Sequence, residues 1–379
     1  MRPAGASVLA ALALNSMLLG AGASDRSAAA ESVSVTRHAR GAQQQTSSGQ
    51  GVRADTVPLV DIAGVPDDLF RVSGAVRLST GEFMVADGAP RIMVFDRSGR
   101  RGRVVAARGS GPGEFQSIAW LQATGQDSVI AYDPSLRRVS VLSASRGVVR
   151  SFALQRSSQR GMPVAVSAFA DGSLLAAVPL LATRPPGAWG LVRPSWLLYR
   201  HDRDGNTLDS LGVVPGDEVA TIQGIIMRPR FARRTQLVAG DAEYYVATAD
   251  SFAVSVFAMN GRAIRTGRRS YRPVQVANAD LQFAPRGALE AAQSRPAYPA
   301  IGQVLADPTA GIWVSEFPAM PTATPAWYVL GRDSRFSDAV AMPSRLRPLQ
   351  IGNDYLLGVW QDSLDVEHVR MYRLHRTAR

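Results

Sequence analysis

The chain has 379 residues, 46 % of them hydrophobic, a globular composition with more sequence than one average domain needs. It has no cysteine, which excludes disulfides and thiolate chemistry, and no lysine among its 42 basic residues, which excludes lysine Schiff-base chemistry. Against 31 acidic residues the arginines give a net charge of +11, but they are spread along the chain without a dense basic block, so no nucleic-acid partner is expected.

Arg2 is followed by an apolar run from Val8 to Leu19, broken at Asn15, and then by Ala21-Gly22-Ala23, a small-x-small cleavage pattern. Residues 1–23 therefore read as a Sec-type signal peptide, with the mature chain starting near Ser24. The run is shorter than the ~20 residues a membrane span needs, and no later stretch reaches that length, so no membrane span is expected. With no cysteine for lipid attachment, the expected location in a bacterium is periplasmic or secreted. Residues 24–55 are rich in Ala, Ser, Gln, Gly and Arg with few large apolar side chains, so burial cannot offset their ordering entropy and a disordered leader is expected. Thr56 to Ala63, TVPLVDIA, has a strand pattern with no sequence-adjacent partner.

From Arg71 onward one unit recurs. Ile92 to Phe95 and Arg103 to Ala107 alternate in polarity around Asp96-Arg97-Ser98-Gly99, which reads as a β-hairpin. A bend follows, Gly109-Ser110-Gly111-Pro112-Gly113-Glu114-Phe115, in which glycines permit a sharp reversal and Phe115 offers an apolar anchor. Turn markers that separate a first strand from a second contain Gly81, Gly125, Gly172, Gly240, Gly311 and Gly352, at intervals of 44, 47, 68, 71 and 41 residues. Propeller repeats run to ~40–50 residues, so six markers predict six blades, two of them with insertions.

This strand, turn, strand unit ending in GSGPGEF resembles the signature of six-bladed β-propellers related to NHL repeats and TolB-like propellers. The resemblance implies an all-β fold, a single propeller over 56–379. The sixth blade lacks a fourth strand of its own after Leu374, and Val57 to Ile62 is assigned to it, since propellers remove open sheet edges by lending a strand across the ring.

Three connections are long. Pro179 to Pro194 carries four prolines and Trp189. Pro215 to Arg234 carries Arg228, Arg230, Arg233 and Arg234 around Phe231. Val276 to Ala292 has helical spacing interrupted by Pro285, so a short helix is expected between the fourth and fifth blades. Long connections in a compact domain are often functional, and guanidinium groups bind carboxylate, phosphate or sulfate in a bidentate way. The candidate ligand-binding residues are Arg228, Arg230, Arg233, Arg234, Trp189 and Glu316, and the expected partner is an anionic protein, peptide or glycan.

Catalytic signals are weak. The bend does not match GxxxxGK[ST], because a strand follows it and lysine is absent, and there is no G-x-S-x-G elbow with a histidine partner. Six-bladed propellers include calcium-dependent lactonases and zinc-dependent lyases, so the resemblance brings a metal site into consideration. The four histidines, His38, His201, His368 and His375, do not form a zinc pattern. Asp87, Asp133, Asp250 and Glu316, at or near the ends of second strands, are possible calcium ligands, though aspartates there commonly cap turns by accepting backbone N–H bonds. The sequence reads as an exported binding or scaffold propeller without a cofactor. The alternative is a hydrolase or lyase with Ca²⁺ or Zn²⁺ in its central channel.

Overall fold

Antiparallel four-stranded units dominate the computed structural model, which describes residues 51–63, 69–125, 127–157, 161–180, 191–222, 225–229, 231–276, 297–309, 311–318 and 324–376. Strand β1 is Val52–Ala63. Blade 1 follows with β2 (Gly74–Arg77), β3 (Phe83–Ala86), β4 (Ile92–Phe95) and β5 (Arg101–Arg108), beside which the bend lays the short parallel β6 (Glu114–Phe115). Blade 2 is β7 (Trp120–Thr124), β8 (Ser128–Asp133), β9 (Arg138–Ser143) and β10 (Gly147–Ala153). Blade 3 is β11 (Val164–Ala168), β12 (Leu174–Pro179), β14 (Ser195–His201) and β15 (Thr207–Pro215), with β13 (Leu191–Val192) in its insertion. After β16 (Val219–Ile222) and β17 (Ile225–Met227), blade 4 runs through β18 (Gln236–Ala239), β19 (Glu243–Ala247), β20 (Ala253–Ala258) and β21 (Ala263–Arg268). Blade 5 has β22 (Ile301–Asp307), β23 (Gly311–Glu316) and β24 (Trp327–Leu330), and blade 6 has β25 (Leu346–Ile351), β26 (Tyr355–Gln361) and β27 (Glu367–Arg376).

The first strands of successive blades touch one another, and β25 touches β2 in turn, so the six blades form a closed ring. A hydrophobic cluster fills each of the six junctions. Second strands such as β3 (FMVA) and β12 (LLAAVP) are apolar because blades cover both of their faces, as in any sheet buried on two sides. Strand β1 pairs antiparallel with β27, from Val52↔Arg376 to Ala63↔His368, and its Val60 and Ile62 pack into the junction between blades 6 and 1. The strand begins at Val52, before the expected domain start at Thr56, because Ala54 is buried and its N–H reaches Ala341 O at 3.3 Å.

Two expectations need adjustment. The fourth strand expected in blade 5 after Asp333 to Arg335 is reduced to single bridges, Leu330↔Phe336 and Trp327↔Val340, with Ser337 Oγ accepting Val329 N–H at 3.0 Å in place of a backbone carbonyl. The expected helix between blades 4 and 5 falls almost wholly outside the described residues, and no helix occurs among the described ones. Accordingly, none of the described residues forms a helix long and apolar enough to cross a membrane.

First strands present a backbone edge to the central channel, where unpaired N–H and C=O groups would be left over. Side chains from the preceding blade cover much of it. Gln122 of blade 2 accepts Ala168 N–H at 2.9 Å and donates to Ala168 O at 2.5 Å, pairing with blade 3 as a strand would. Gln350 of blade 6 accepts Arg77 N–H at 2.7 Å in blade 1, Ser167 of blade 3 accepts Ala239 N–H at 3.0 Å in blade 4, and Gln303 of blade 5 donates to Pro348 O at 2.9 Å in blade 6. Blades 5 and 6 are also tied through buried Asp307, which accepts from Trp313 Nε1 at 2.6 Å and Arg376 Nη1 at 2.9 Å. Burial alone would raise the Asp307 pKa, but bonds from Arg376, Thr309 and Trp313 outweigh it and hold the carboxyl below its ordinary value.

Candidate binding face

In an antiparallel blade, the connections between second and third strands emerge on the same face as those between blades. Both long insertions of blades 3 and 4 therefore project on one face, here called upper, and they join there. β13, from the proline-rich insertion, pairs with β16 through Leu191↔Ala220 and Val192↔Val219, and β16 forms a hairpin with β17. The result is a three-stranded cap above the junction of blades 3 and 4. Gly216 sits where the two insertions meet. Its N–H reaches Pro194 O at 2.7 Å, and any Cβ there would collide with the Trp196 indole.

The arginine run enters this cap as part of an ion network. Arg228 Nη2 lies 3.1 Å from Asp217 Oδ2. The backbone N–H of Arg233 donates to Glu218 Oε2 at 2.7 Å, and its Nη1 donates to Asp250 Oδ1 at 2.5 Å. Arg193, which no sequence pattern marked, donates to the other Asp250 oxygen at 2.5 Å, to Gly216 O at 2.8 Å and to Thr248 O at 2.5 Å. Asp217 and Glu218 are buried, and Asp217 also accepts Thr235 N–H at 3.0 Å. Burial lifts the Asp217 pKa above its ordinary value despite Arg228 and Thr235, whereas for Asp250 the bond to Thr248 and the pull of Arg193 and Arg233 outweigh burial and lower it. Burial and the neighbouring Arg228 both lower the Arg234 pKa, against the pull of Asp217.

Phe231 is buried and meets Tyr298 edge-on, with ring centres 4.9 Å apart, and Tyr298 stacks on Phe317 at 5.8 Å. The aromatic chain carries the run across to blade 5, where Glu316, beside Phe317, accepts the Tyr328 hydroxyl at 3.1 Å and lies 3.5 Å from Arg269. Arg269 in turn stacks over Tyr328 at 3.8 Å. Buried aromatic contacts thus connect the segment that holds Arg228, Arg233 and Arg234 to Phe317, the neighbour of Glu316. Arg230 and Trp189 lie outside the described residues.

Other candidates resolve into structural roles. Asp87 accepts the N–H groups of Ala89 at 3.1 Å and Arg91 at 3.3 Å, and pairs with the Arg91 guanidinium at 2.6 Å. Asp133, buried, accepts N–H bonds from Gln116, Ser135 and Leu136 at 2.7, 2.9 and 3.0 Å. The glycine-rich bend closes on itself, Gly111 N–H donating to Glu114 Oε2 at 2.8 Å above a fully buried Phe115. His201 Nε2 lies 2.9 Å from Ser157 Oγ, the geometry of a serine and its base, but also 3.2 Å from the Gln155 carbonyl, which can only accept. Thr207 Oγ1 lies 3.3 Å from the same nitrogen, so Nε2 is shared among three oxygens and Ser157 is not its sole partner. Among the described residues no three His, Asp or Glu side chains gather as a metal site.

No family model matches the sequence, and no curated protein matches it. Many solved structures do share the architecture. A member of the DUF4221 family from Bacteroides vulgatus is 9 % identical over 87 % of this chain and 99 % of its own, with a TM-score of 0.53. A Bacteroides fragilis protein provisionally described as exported is 11 % identical over 89 % of this chain and 98 % of its own, with a TM-score of 0.49. A Bacteroides thetaiotaomicron protein of unknown function is 10 % identical over 86 % of this chain and 76 % of its own, at 0.47. At such identities the likeness is one of fold, and the chain is a six-bladed β-propeller.

Proposed function

We propose that this protein is an exported, non-catalytic propeller that recognises an anionic protein, peptide or glycan on its upper face, without a resident metal. The observation that carries the reading is the cap: β13, at the end of the proline-rich insertion, pairs with β16 in the connection that carries the arginine run. Arg228 and Arg233 hold the cap through Asp217, Glu218 and Asp250, and we assign ligand contact to the arginine run Arg228, Arg230, Arg233 and Arg234, with Trp189 as a stacking partner and Glu316 at the rim. Export follows from the signal-like segment at 1–23. The provisional description of the Bacteroides fragilis neighbour agrees with a periplasmic or secreted location. Kinship with NHL-type and TolB-like propellers belongs to the same reading and rests on the bend at Gly109 to Phe115. So does the role of β1 as the clasp that completes blade 6.

The test is titration of the mature chain with acidic peptides and sulfated oligosaccharides at low and high salt, beside Arg230→Gln and Trp189→Ala. These substitutions leave the described ion pairs intact. Binding that weakens with salt, because exposed charges are screened over ~10 Å at 0.1 M, and that weakens again in both variants supports the reading. Binding indifferent to salt and to both substitutions removes the cap from consideration. One equivalent of tightly held Ca²⁺ or Zn²⁺ in protein purified without chelators would overturn the metal-free assignment.

A further inference from the structure

On the face opposite the cap, where first strands turn into second strands, the ends of blades 5, 6 and 1 frame a cavity of about 240 Å³. Arg77, the last residue of β2, lines it from blade 1, Gln350 and the turn from Gly352 to Tyr355 line it from blade 6, and Pro308 from blade 5. First strands border the central channel, so the cavity lies at the lower mouth of that channel. Its walls are tied down. Gln350 holds Arg77 by accepting its backbone N–H at 2.7 Å and donating to its carbonyl at 3.4 Å. Arg376 donates to the carbonyls of Gly352 at 3.0 Å and Asn353 at 2.8 Å while it pairs with Asp307, which fastens the blade 6 turn to blade 5. The Tyr355 ring folds back over Gly352, where any Cβ would collide with it.

Arg77 and Asp354 are the charged residues of the lining, and neither has an ionic partner among the described residues. The Arg77 guanidinium lies over the Tyr355 ring, 4.9 Å from its centre. Both charges act on the Tyr355 hydroxyl: burial raises its pKa, Arg77 opposes the rise and Asp354 adds to it. Arg77 and Asp354 do not pair with each other, and the Gln350 clamp on one side and the fastened turn on the other set the spacing of their backbones. A space between two opposite charges held in this way is matched by a molecule that carries both.

We propose that this cavity binds a free α-amino acid as its zwitterion. Arg77 takes the α-carboxylate through its planar fork, Asp354 takes the α-ammonium, and Pro308 and Tyr355 line the space left for the side chain. The volume falls below the ~300 Å³ at which drug-sized pockets begin, which suits a single amino acid. A plain anion would set its charge against Asp354, and a plain cation would set its charge against Arg77. The site lies on the face opposite to the arginine cap, so either can fail without the other.

The experiment is calorimetric titration of the full mature chain with L-alanine, L-valine and L-phenylalanine, each as the free amino acid, the N-acetyl derivative and the amide. At least one free amino acid is expected to bind saturably, and blocking either end is expected to weaken it by about tenfold or more. Arg77→Gln is expected to erase the penalty for the amide, and Asp354→Asn the penalty for acetylation. Both changes leave the backbone bonds of the cavity in place, and thermal melting checks that each variant is folded. The blocked forms test the wild-type chain independently of the variants. No saturation at millimolar concentration with any of the three, equal affinity for free and blocked forms, or penalties that survive in the folded variants would each overturn the proposal.

Discussion

Arg233 and Arg347 stand on the same face of one ring and use their charge in opposite ways. Over blades 3 and 4, Arg233 and Arg193 grip the two oxygens of Asp250, and Arg228 covers buried Asp217, so guanidinium and carboxylate hold two loops together. Over blades 6 and 1, Arg347 makes one bond to the Val72 carbonyl, and β1 pairs with β27 through the backbone. A net charge of +11 is therefore no guide to where ligands go. What makes Arg228, Arg233 and Arg193 structural is that carboxylates already face them.

Removing β1 tests the backbone-held side and should have the largest effect. Truncation through Ala63 exposes the edge of β27 and empties Val60 and Ile62 from the junction of blades 6 and 1, so the variant is expected to melt far below the intact chain or to aggregate. Truncation through Gln50 should leave the melting temperature unchanged. Equal melting of both truncations and the parent would show that β1 is dispensable.

Next comes the charge-held side. Arg228→Gln removes the nearest cation from buried Asp217 and leaves it Arg234, Arg193 and the Thr235 N–H, an effect of ~2–3 kcal/mol, whereas Arg347→Gln loses one hydrogen bond, ~1 kcal/mol. Urea unfolding of the two variants side by side measures the contrast, and equal losses would erase it. A smaller loss, ~1–2 kcal/mol, is expected for Gln122→Leu, which strips both bonds from Ala168 at the channel edge. Thermal melts should show it as a shift of a few degrees or less, and a rise in melting temperature would mean that channel water serves Ala168 as well as the glutamine does.

Acid sharpens the comparison further, because the pKa values of two carboxylates in the cap are shifted in opposite directions. The folded pKa of Asp217 is raised above 3.8, so its ionised form opposes folding at neutral pH, and that cost fades as pH falls through the raised value. Asp250 is lowered below 3.8, so its contribution is present above 3.8 and lost as pH falls through the folded value. Melting curves from pH 6 to pH 3 should lose stability mainly below about 3.8, and Asp250→Asn should make that loss shallower. An unchanged acid limb in the variant would remove Asp250 from the account.

Much of the ring was legible in the sequence because its turns have local causes. Gly81, Gly125, Gly172 and Gly311 have positive φ, a conformation that costs glycine little, and so they recur where the first hairpin of a blade turns. Asp96 likewise announces its turn by accepting the N–H groups of Ser98 and Arg100. The cap was not legible. β13 has two residues, too few for any periodicity, and its partner lies beyond a whole hairpin of blade 3. Arg193 and Arg347 escaped notice for a related reason: each is a single arginine beside a proline, and its meaning comes from what folds against it. The fourth strand of blade 5 was expected from a turn at Asp333 to Arg335, but a turn promises only reversal, and Ser337 then takes a bond that a strand backbone would have taken.

The pairing of β1 with β27 also constrains how the chain reaches its fold. Asp55 and His375, joined at 2.8 Å, lie 320 residues apart, so β1 waits for β27 before it has its partner. Such a contact closes late, and until then β1 is a free edge beside five growing blades. Pro58 withholds an N–H from that edge, and Arg53, Asp55 and Asp61 place charge along it, features that discourage pairing with a neighbouring chain. A strand that is made long before its partner gains from being unattractive to other edges, and those four residues oppose such pairing.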